Sequence, residues 1–595
     1  MSLATLNDIF FTIVDRNVPR VMMHRQAIDW VSISAQELYR NAVGIAKALE
    51  GWGLGKGDRV AILSENRPEW TTADFACQLL GIVTVPIYST LTGDQTAFIL
   101  RDADCRVIFV SSEHQLQKVH AVHAQTLLEK IVVMDSVETA HAFNLATLMH
   151  QGPQNRDSAF DKRARTIKGE DLATIIYTSG TTGVSKGVML THGNLAANIE
   201  FSLKGFDLQN GDISISFLPL SHVTARHVDF AMLFNGVTLA YCPFVDRLAQ
   251  ALLEVRPTIF VSVPRVYEKI HTQTEWKAKG FPKSLIFDWA LSVGRHYEEE
   301  ILAGRVPQAL PWKLANKLVY SKIRQGMGGR GRIFISGGAP LGRELAEWFA
   351  RMGIRIHEGY GLTETSPVIA VNVPGAHKLG TVGRPLGNIE VRIAEDGEIL
   401  VRGPSVFKGY WKRPEETANA LVDGWFKTGD IGNIDADGFL SVTDRKKDLI
   451  KTSGGKFIAP QPIENSLKHN ALVGEAIVVG DKRKFPAVLI CPYFPLLEDW
   501  ARNNQVPSGS RSELIANPKV RALYEGIVDE LNQGLARFEK LKKVVLVPDE
   551  LSAQDGTLTH TMKVRRRAVE ERYRKLIDDL YLHAEAAPVT DHVSG

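Results

Sequence analysis

Between residues 59 and 112 the chain alternates short apolar runs with amphipathic stretches, and that alternation constrains its fold more than any other feature. RVAILSEN from Arg59 gives way to a helical pattern over 70–80, TVPIYS around Pro86, a second helical pattern over 95–101, and CRVIFVSS from Cys105. Apolar runs without a polar face read as strands covered on both sides, and strands alternating with helices make parallel βαβ units. Similar runs recur at 236–241, 258–263 and 332–336. From Glu390 the character changes to short alternating strands with glycine turns, VRIAEDGEILVRG and then GFLSVTDRKKD, which predicts a small β-rich subdomain. A charged segment at 444–447 follows. After it the pattern starts afresh, with a helix near 462–467, strands near 475–479 and 487–491, and helices between 514 and 538. At 595 residues the chain exceeds the roughly 250–300 at which a single core stops growing. The expectation is an α/β fold: a large N-terminal domain over 1–444, with layered βαβ sheets and the β-rich subdomain, then a small α+β domain over 445–595. The boundary falls at Arg445 to Lys447, and 584–595 reads as a disordered tail.

Charge and cysteine usage narrow the function. Seventy basic against 67 acidic residues leave a net charge of +3, and no nucleic-acid motif occurs, so no nucleic-acid partner is expected. Cys77, Cys105, Cys242 and Cys491 are scattered and form no CxxC pair, which argues against a zinc site or a disulfide framework. The apolar stretch at 9–14 is too short for a signal peptide, and no run of about 18 apolar residues occurs. A cytoplasmic protein is expected, with peripheral contact on the inner face of a membrane as the only form of membrane association.

YTSGTTGVSKGV, residues 177–188, suits a polyphosphate. It follows the apolar run LATIIY, so Gly180 and Gly183 would let backbone N–H groups approach phosphate oxygens. Thr178, Ser179, Thr181 and Thr182 add hydroxyl donors, and Lys186 adds a positive charge. It is not the Walker loop, because Ser185 stands before Lys186 where that motif has glycine and Gly187 follows where it has Ser or Thr.

The run resembles the phosphate-loop signature of the adenylate-forming, or AMP-binding, superfamily. Later motifs of that family follow in order: SGGAPL (336–341), YGLTETSP (360–367), GWFKTGD (424–430), DRKKDLIK (444–451) and LTHTMKVRR (558–566). Long-chain fatty acyl-CoA synthetases are resembled further in the run 423–447, in LPLSH with Arg226 four residues beyond His222, in VSVPRVYEKI (261–270) and in KTSGGKFIAPQPIEN (451–465). The resemblance implies that ATP activates a long fatty acid as an acyl adenylate, which CoA then captures, releasing AMP. A carboxylate needs such activation because its oxygen is a poor leaving group, and the work of the protein is positioning and charge neutralisation.

Site residues follow from the same resemblance. Glu364, helped by Thr178, would bind Mg²⁺, and an oxygen set with few protein donors suits that ion. Gly338 and Ala339 would line the adenine, Tyr360 would stack on it, and Glu358, Gly359, Gly361 and Thr363 would surround it. Asp430 would accept the ribose hydroxyls with help from Arg445. Lys563 would bridge the reacting carboxylate and the α-phosphate. Lys447 would be the hinge about which a mobile C-terminal domain turns, Lys451 would contact nucleotide, and the run from Thr452 through Gly454 and Gly455 to Lys456 would line the thiol path. His222 would stand where acyl pocket and thiol tunnel meet, although a hydrogen-bonded core histidine fits the same pattern. Two departures from the family are Ser185 and His560, each where proline is usual. Trp289, Tyr297, Trp312 and Tyr320, interleaved with Lys313, Lys317, Lys322 and Arg324, suit either an anionic lipid surface or a solvated helix packed on the body. The competing readings are a fatty acyl-AMP ligase that loads a carrier protein, a CoA ligase for aryl or shorter acids, and an inactive acyl-binding protein.

Overall fold

RVAILSEN becomes the parallel strand Arg59–Leu63, in which Val60, Ala61, Ile62 and Leu63 are sealed from solvent on both faces. The computed structural model describes residues 3–178, 185–453, 456–507, 509–552, 555–559 and 564–585. Among these, the neighbours of Arg59–Leu63 build a sheet in the order Gly409–Tyr410, Lys186–Thr191, Leu172–Thr178, Val83–Ile87, Arg59–Leu63, Val107–Val110, Lys130–Val133 and Phe143–Asn144. It is antiparallel across its first two pairings and parallel from Leu172–Thr178 to Phe143–Asn144.

A second large sheet carries Ile213–Ser216, Ile259–Ser262, Ile333–Ser336 and Ile356–Gly361 as adjacent parallel strands. Between the sheets lie the helices Leu6–Arg16, Ala35–Gly51, Pro68–Leu79, His192–Ser202 and Val223–Phe234, which pack on one another. They share one apolar core with inward residues of both sheets, such as Ile62 and Phe109 from the first and Leu239 and Val261 from the second. Helix starts are encoded locally. Thr5 with Asp8, Ser34 with Glu37 and Thr191 with Asn194 form reciprocal capping boxes that satisfy the first orphan N–H groups.

The β-rich segment forms as expected, from Glu390–Ile393, Glu398–Arg402, Leu421–Val422, Trp425–Ile434 and Leu440–Arg445. Beyond it, Val473–Val479, Ala487–Pro492 and Val544–Leu546 make a small sheet flanked by Pro460–Lys468, Pro518–Gln533 and Arg574–Glu585, with an apolar core of its own. This body meets the larger one through Arg265, whose guanidinium lies 2.7 Å from a Glu475 carboxylate oxygen and donates to the Gly474 carbonyl at 3.3 Å. His469 lies 3.3 Å from Glu344.

One sequence expectation needs correction. Helix Arg574–Glu585 reaches past Ala584, where the tail was expected to begin; residues 586–595 lie outside the described residues. In the basic stretch, where both a lipid-facing and a body-packed helix fitted the sequence, Trp312 and Tyr320 are buried in the core.

Candidate active site

The strands Leu172–Thr178 and Lys186–Thr191 pair antiparallel with Thr178 opposite Lys186, so both residues stand at the mouth of the phosphate-loop run. Ser179, Gly180, Thr181, Thr182 and Gly183 lie outside the described residues. Lys186 forms an ion pair with Glu416, and its ammonium stands 5.6 Å from the centre of the Tyr410 ring. The Tyr410 hydroxyl donates to Glu364 Oε1 at 2.9 Å, which ties the phosphate lysine to the metal candidate through one side chain. Glu364 is held in the loop after Gly361. A Cβ at Gly361 would lie 1.9 Å from the Pro367 carbonyl oxygen, so only glycine lets the two backbones pass.

The adenosine candidates gather at the carboxyl ends of parallel strands, where ligands of open α/β sheets bind. Ser262, Ser336 and Glu358 stand level on neighbouring strands. The chain turns through Gly338 at a φ of 83° and Ala339, and the Leu341 N–H donates to Glu358 Oε2 at 3.2 Å, fastening this turn to the next strand. Ser336 Oγ is buried with no partner among the described residues. Gly359 continues the strand opposite Val371, and Thr363 is buried at the start of a short 3₁₀ turn. The Tyr360 hydroxyl donates to Asp430 Oδ2 at 2.6 Å, and Arg445 lies 3.3 Å from Asp430 Oδ1. Asp430 and Arg445 face each other across the pair Trp425–Ile434 and Leu440–Arg445.

Burial sets the electrostatics. Desolvation pushes the Glu358 carboxyl up to about 7 and raises that of Glu364 above its ordinary range, against a smaller lowering from Arg445. No cation stands within ion-pair distance of Glu364 among the described residues. Burial, reinforced by Arg445, lowers the Lys447 ammonium. Arg445 and Asp430 stand near enough to Glu364 for their opposite charges to bear on it.

The donors fit Mg²⁺. Glu364 offers a desolvated carboxylate whose charge lacks compensation, Thr178 offers a hydroxyl, and an ion that keeps its waters and binds phosphate needs little more. No cluster of three or more His, Cys, Asp or Glu occurs among the described residues.

Other candidates are spread more widely. His222 caps helix Val223–Phe234, and its Nδ1 accepts from the Thr224 N–H at 3.1 Å, so the ring carries its exchangeable proton on Nε2 when neutral. Asn66 pins the LPLSH turn by donating to the Leu218 carbonyl at 2.7 Å and accepting from Leu220 N–H at 3.1 Å. Lys451 and Lys456 flank a hairpin of Ile450–Lys451 with Phe457–Ile458. Their described contacts, with Phe457, Asp481 and Phe538, stay within the C-terminal body. Thr452 closes that hairpin by donating its N–H to the Lys456 carbonyl at 3.0 Å. Gly454, Gly455 and Lys563 lie outside the described residues. Sequence reasoning missed Tyr410 and Glu416, which sit in FKGYWKRPEET, a run whose charge and proline mark it as a loop.

Comparison with known proteins adds an independent line. The family model described as AMP-binding enzyme matches residues 14–411, and that described as AMP-binding enzyme C-terminal domain matches 447–585. The chain is 36% identical to the long-chain-fatty-acid–CoA ligase FadD15 of Mycobacterium bovis over 95% of each chain. It is 31% identical to long-chain-fatty-acid–CoA ligase 1 of Homo sapiens, covering 93% of this chain and 83% of that one. Among solved structures, an anthranilate CoA ligase in complex with anthranoyl-AMP is similar in fold, with a TM-score of 0.75 at 20% identity over 97% of this chain and 99% of that one.

Proposed function

The chain belongs to the AMP-binding enzyme family, and from that premise we propose how its residues serve two successive transfers to one carbonyl. The activity is ligation of a long-chain fatty acid to CoA at the expense of ATP, giving acyl-CoA, AMP and pyrophosphate. In the first transfer a carboxylate oxygen bonds to the α-phosphorus as the bond to the β-phosphate oxygen breaks. In the second the CoA sulfur bonds to the acyl carbon, the thiol proton is lost, and AMP leaves. The observation that carries the assignment of roles is a pair of contact chains, Lys186 to Tyr410 to Glu364 and Tyr360 to Asp430 to Arg445, formed, Tyr410 apart, by residues of the family's motifs.

On this reading Lys186 exchanges Glu416 for the β- and γ-phosphates, because phosphate offers it more negative charge than one carboxylate. Asp430, braced by Tyr360 and Arg445, accepts the ribose hydroxyls. Glu364 and Thr178 would hold Mg²⁺, which when bound neutralises phosphate charge. Lys563 orients the carboxylate against the α-phosphate. Lys447 is the hinge between 1–444 and 445–595, and its turn brings the hairpin of Lys451 and Lys456 to the thiol path in place of Lys563. His222 presents Nε2 toward the acyl end. Peripheral contact with a membrane supplies the acid on this reading; no helix among the described residues is long and apolar enough to cross one.

The test is CoA-dependent AMP release across saturated acids of increasing length. The expected result is a kcat/KM that climbs into the long-chain range and needs CoA. Release that peaks with aryl or short acids, or an acyl adenylate that CoA fails to discharge, overturns it.

A further inference from the structure

Surface helices ordinarily turn polar residues outward. The helical segments Leu310–Ala315, Asn316–Tyr320 and Ser321–Gly326 run on from one another and turn leucines outward among their lysines. Their inner side buries Trp312, Ala315, Val319 and Tyr320, while Leu310, Leu314 and Leu318 lie outside at 79%, 47% and 39% exposure. Beside them packs Lys283–His296, with Leu285 and Trp289 exposed, and the loop leading into it carries Phe281 at 85% exposure. Of the 23 exposed large apolar residues described in the chain, nine fall within 276–318.

The charge of this region is equally uneven. Residues 276–326 hold nine Lys and Arg against four Asp and Glu, a net of +5 where the whole chain has +3. No acidic residue occurs from Ala303 to Gly342. Lys279 and Lys283 flank Phe281, and Lys313, Lys317 and Lys322 flank the leucines; none of these is in an ion pair with a described residue.

We propose that this face docks on an anionic lipid bilayer, Phe281 and the leucine row entering the headgroup boundary while the lysines meet lipid phosphates. The inference deepens the reading of the chain as acting on a long-chain acid drawn from a membrane, and rests on it. Interleaved lysine and large apolar residues are the composition of segments that lie in a membrane surface. Protein interfaces, by contrast, are depleted in lysine, which disfavours a second copy or another protein as the occupant. The location also suits delivery. Helix Pro264–Lys277 begins at the carboxyl end of Ile259–Ser262, beside Ser336 of the adenosine cluster, and carries Trp276 in its last turn. Its fourteen residues span roughly 21 Å, so the bilayer edge would stand one helix length from the site.

The experiment is co-sedimentation of the full chain, without ATP or CoA, with phosphatidylcholine vesicles that contain or lack phosphatidylglycerol. Binding is expected to the anionic vesicles and to weaken with salt. Lys313→Gln with Lys317→Gln should lower partitioning roughly thirtyfold, about fivefold per charge removed, and Leu310→Ser with Leu314→Ser should abolish it. Equal binding to both vesicle types, variants that partition like the parent chain, or a dimer dispersed by the leucine changes in place of vesicle binding would each overturn the proposal. Ligase activity on detergent-dispersed acid reports separately: variants should retain it, and its absence in the parent chain would count against the assigned activity and not against docking.

Discussion

Lys186 is engaged before any nucleotide arrives, because Glu416 holds its ammonium. Removing that competitor should help ATP. Glu416→Gln is expected to lower the KM for ATP about threefold to tenfold with little change in kcat, whereas Lys186→Met should cut kcat/KM for ATP by about 10²–10³; pyrophosphate release reads both. A second expectation concerns Asp229, which accepts a hydrogen bond from Ser216 Oγ at 2.7 Å inside the core. Burial pushes its carboxyl up to about 7. The folded chain therefore keeps a proton that the unfolded chain releases near pH 4, so this group favours folding most at low pH, and stability falls as pH rises from about 4 to about 7. Asp229→Asn should flatten that slope, seen as a smaller Tm change between pH 5 and 8 in thermal melts than the parent chain shows.

At the scale of elements, helix Val223–Phe234 is held in register by Arg226, whose Nε and Nη2 each donate to Asp74 of helix Pro68–Leu79 at 2.7 Å, with both side chains almost wholly enclosed. Asp74→Ala would strand a guanidinium in the core, at a cost of about 3–5 kcal/mol in urea unfolding. Because His222 caps the same helix, kcat should fall with it even at temperatures where the variant stays folded. The sequence made Arg226 conspicuous beside His222, yet its partner lies 152 residues earlier, and no local pattern reveals such a pairing. The strands were legible for the opposite reason: a run such as Val60 to Leu63, apolar at every position, has few alternatives to burial on both faces. The basic helices were half legible. The aromatic residues fitted a lipid-facing or a body-packed helix equally, and burial decides for two of them: Trp312 and Tyr320 join Ala315 and Val319, at helical spacing, on the inner side. Tyr410 escaped notice because its importance comes from reaching Glu364 across 46 residues of chain.

For the molecule as a whole, the turning point is narrow. Arg445 is bound to Asp430, and Lys446 lies 2.6 Å from Asp396 and 2.8 Å from Glu398, so both belong mechanically to the larger body. Asp444 accepts from the Gln461 N–H at 3.0 Å, and the smaller body begins at once beyond Lys447. If that body alternates between two poses, the half reactions should separate by mutation. Lys563→Ala is expected to abolish adenylate formation while leaving CoA capture of supplied acyl adenylate largely intact; equal loss of both, measured by rapid quench, would sink the assigned role. The motifs that suggested two poses were readable because each is short and contiguous. How Arg265 meets Glu475 was not, since it depends on two surfaces whose residues are unremarkable apart.

The strand Gly409–Tyr410 pairs with Lys186–Thr191, which the ribosome has released 218 residues earlier. At bacterial or eukaryotic elongation rates of about 5–20 residues per second, that interval lasts roughly 10–45 s. Throughout it, the margin that will grip ATP has a row of unsatisfied amides and carbonyls, open to any passing strand. A nascent chain of this protein therefore needs shelter longest at the place where, once complete, it performs its chemistry.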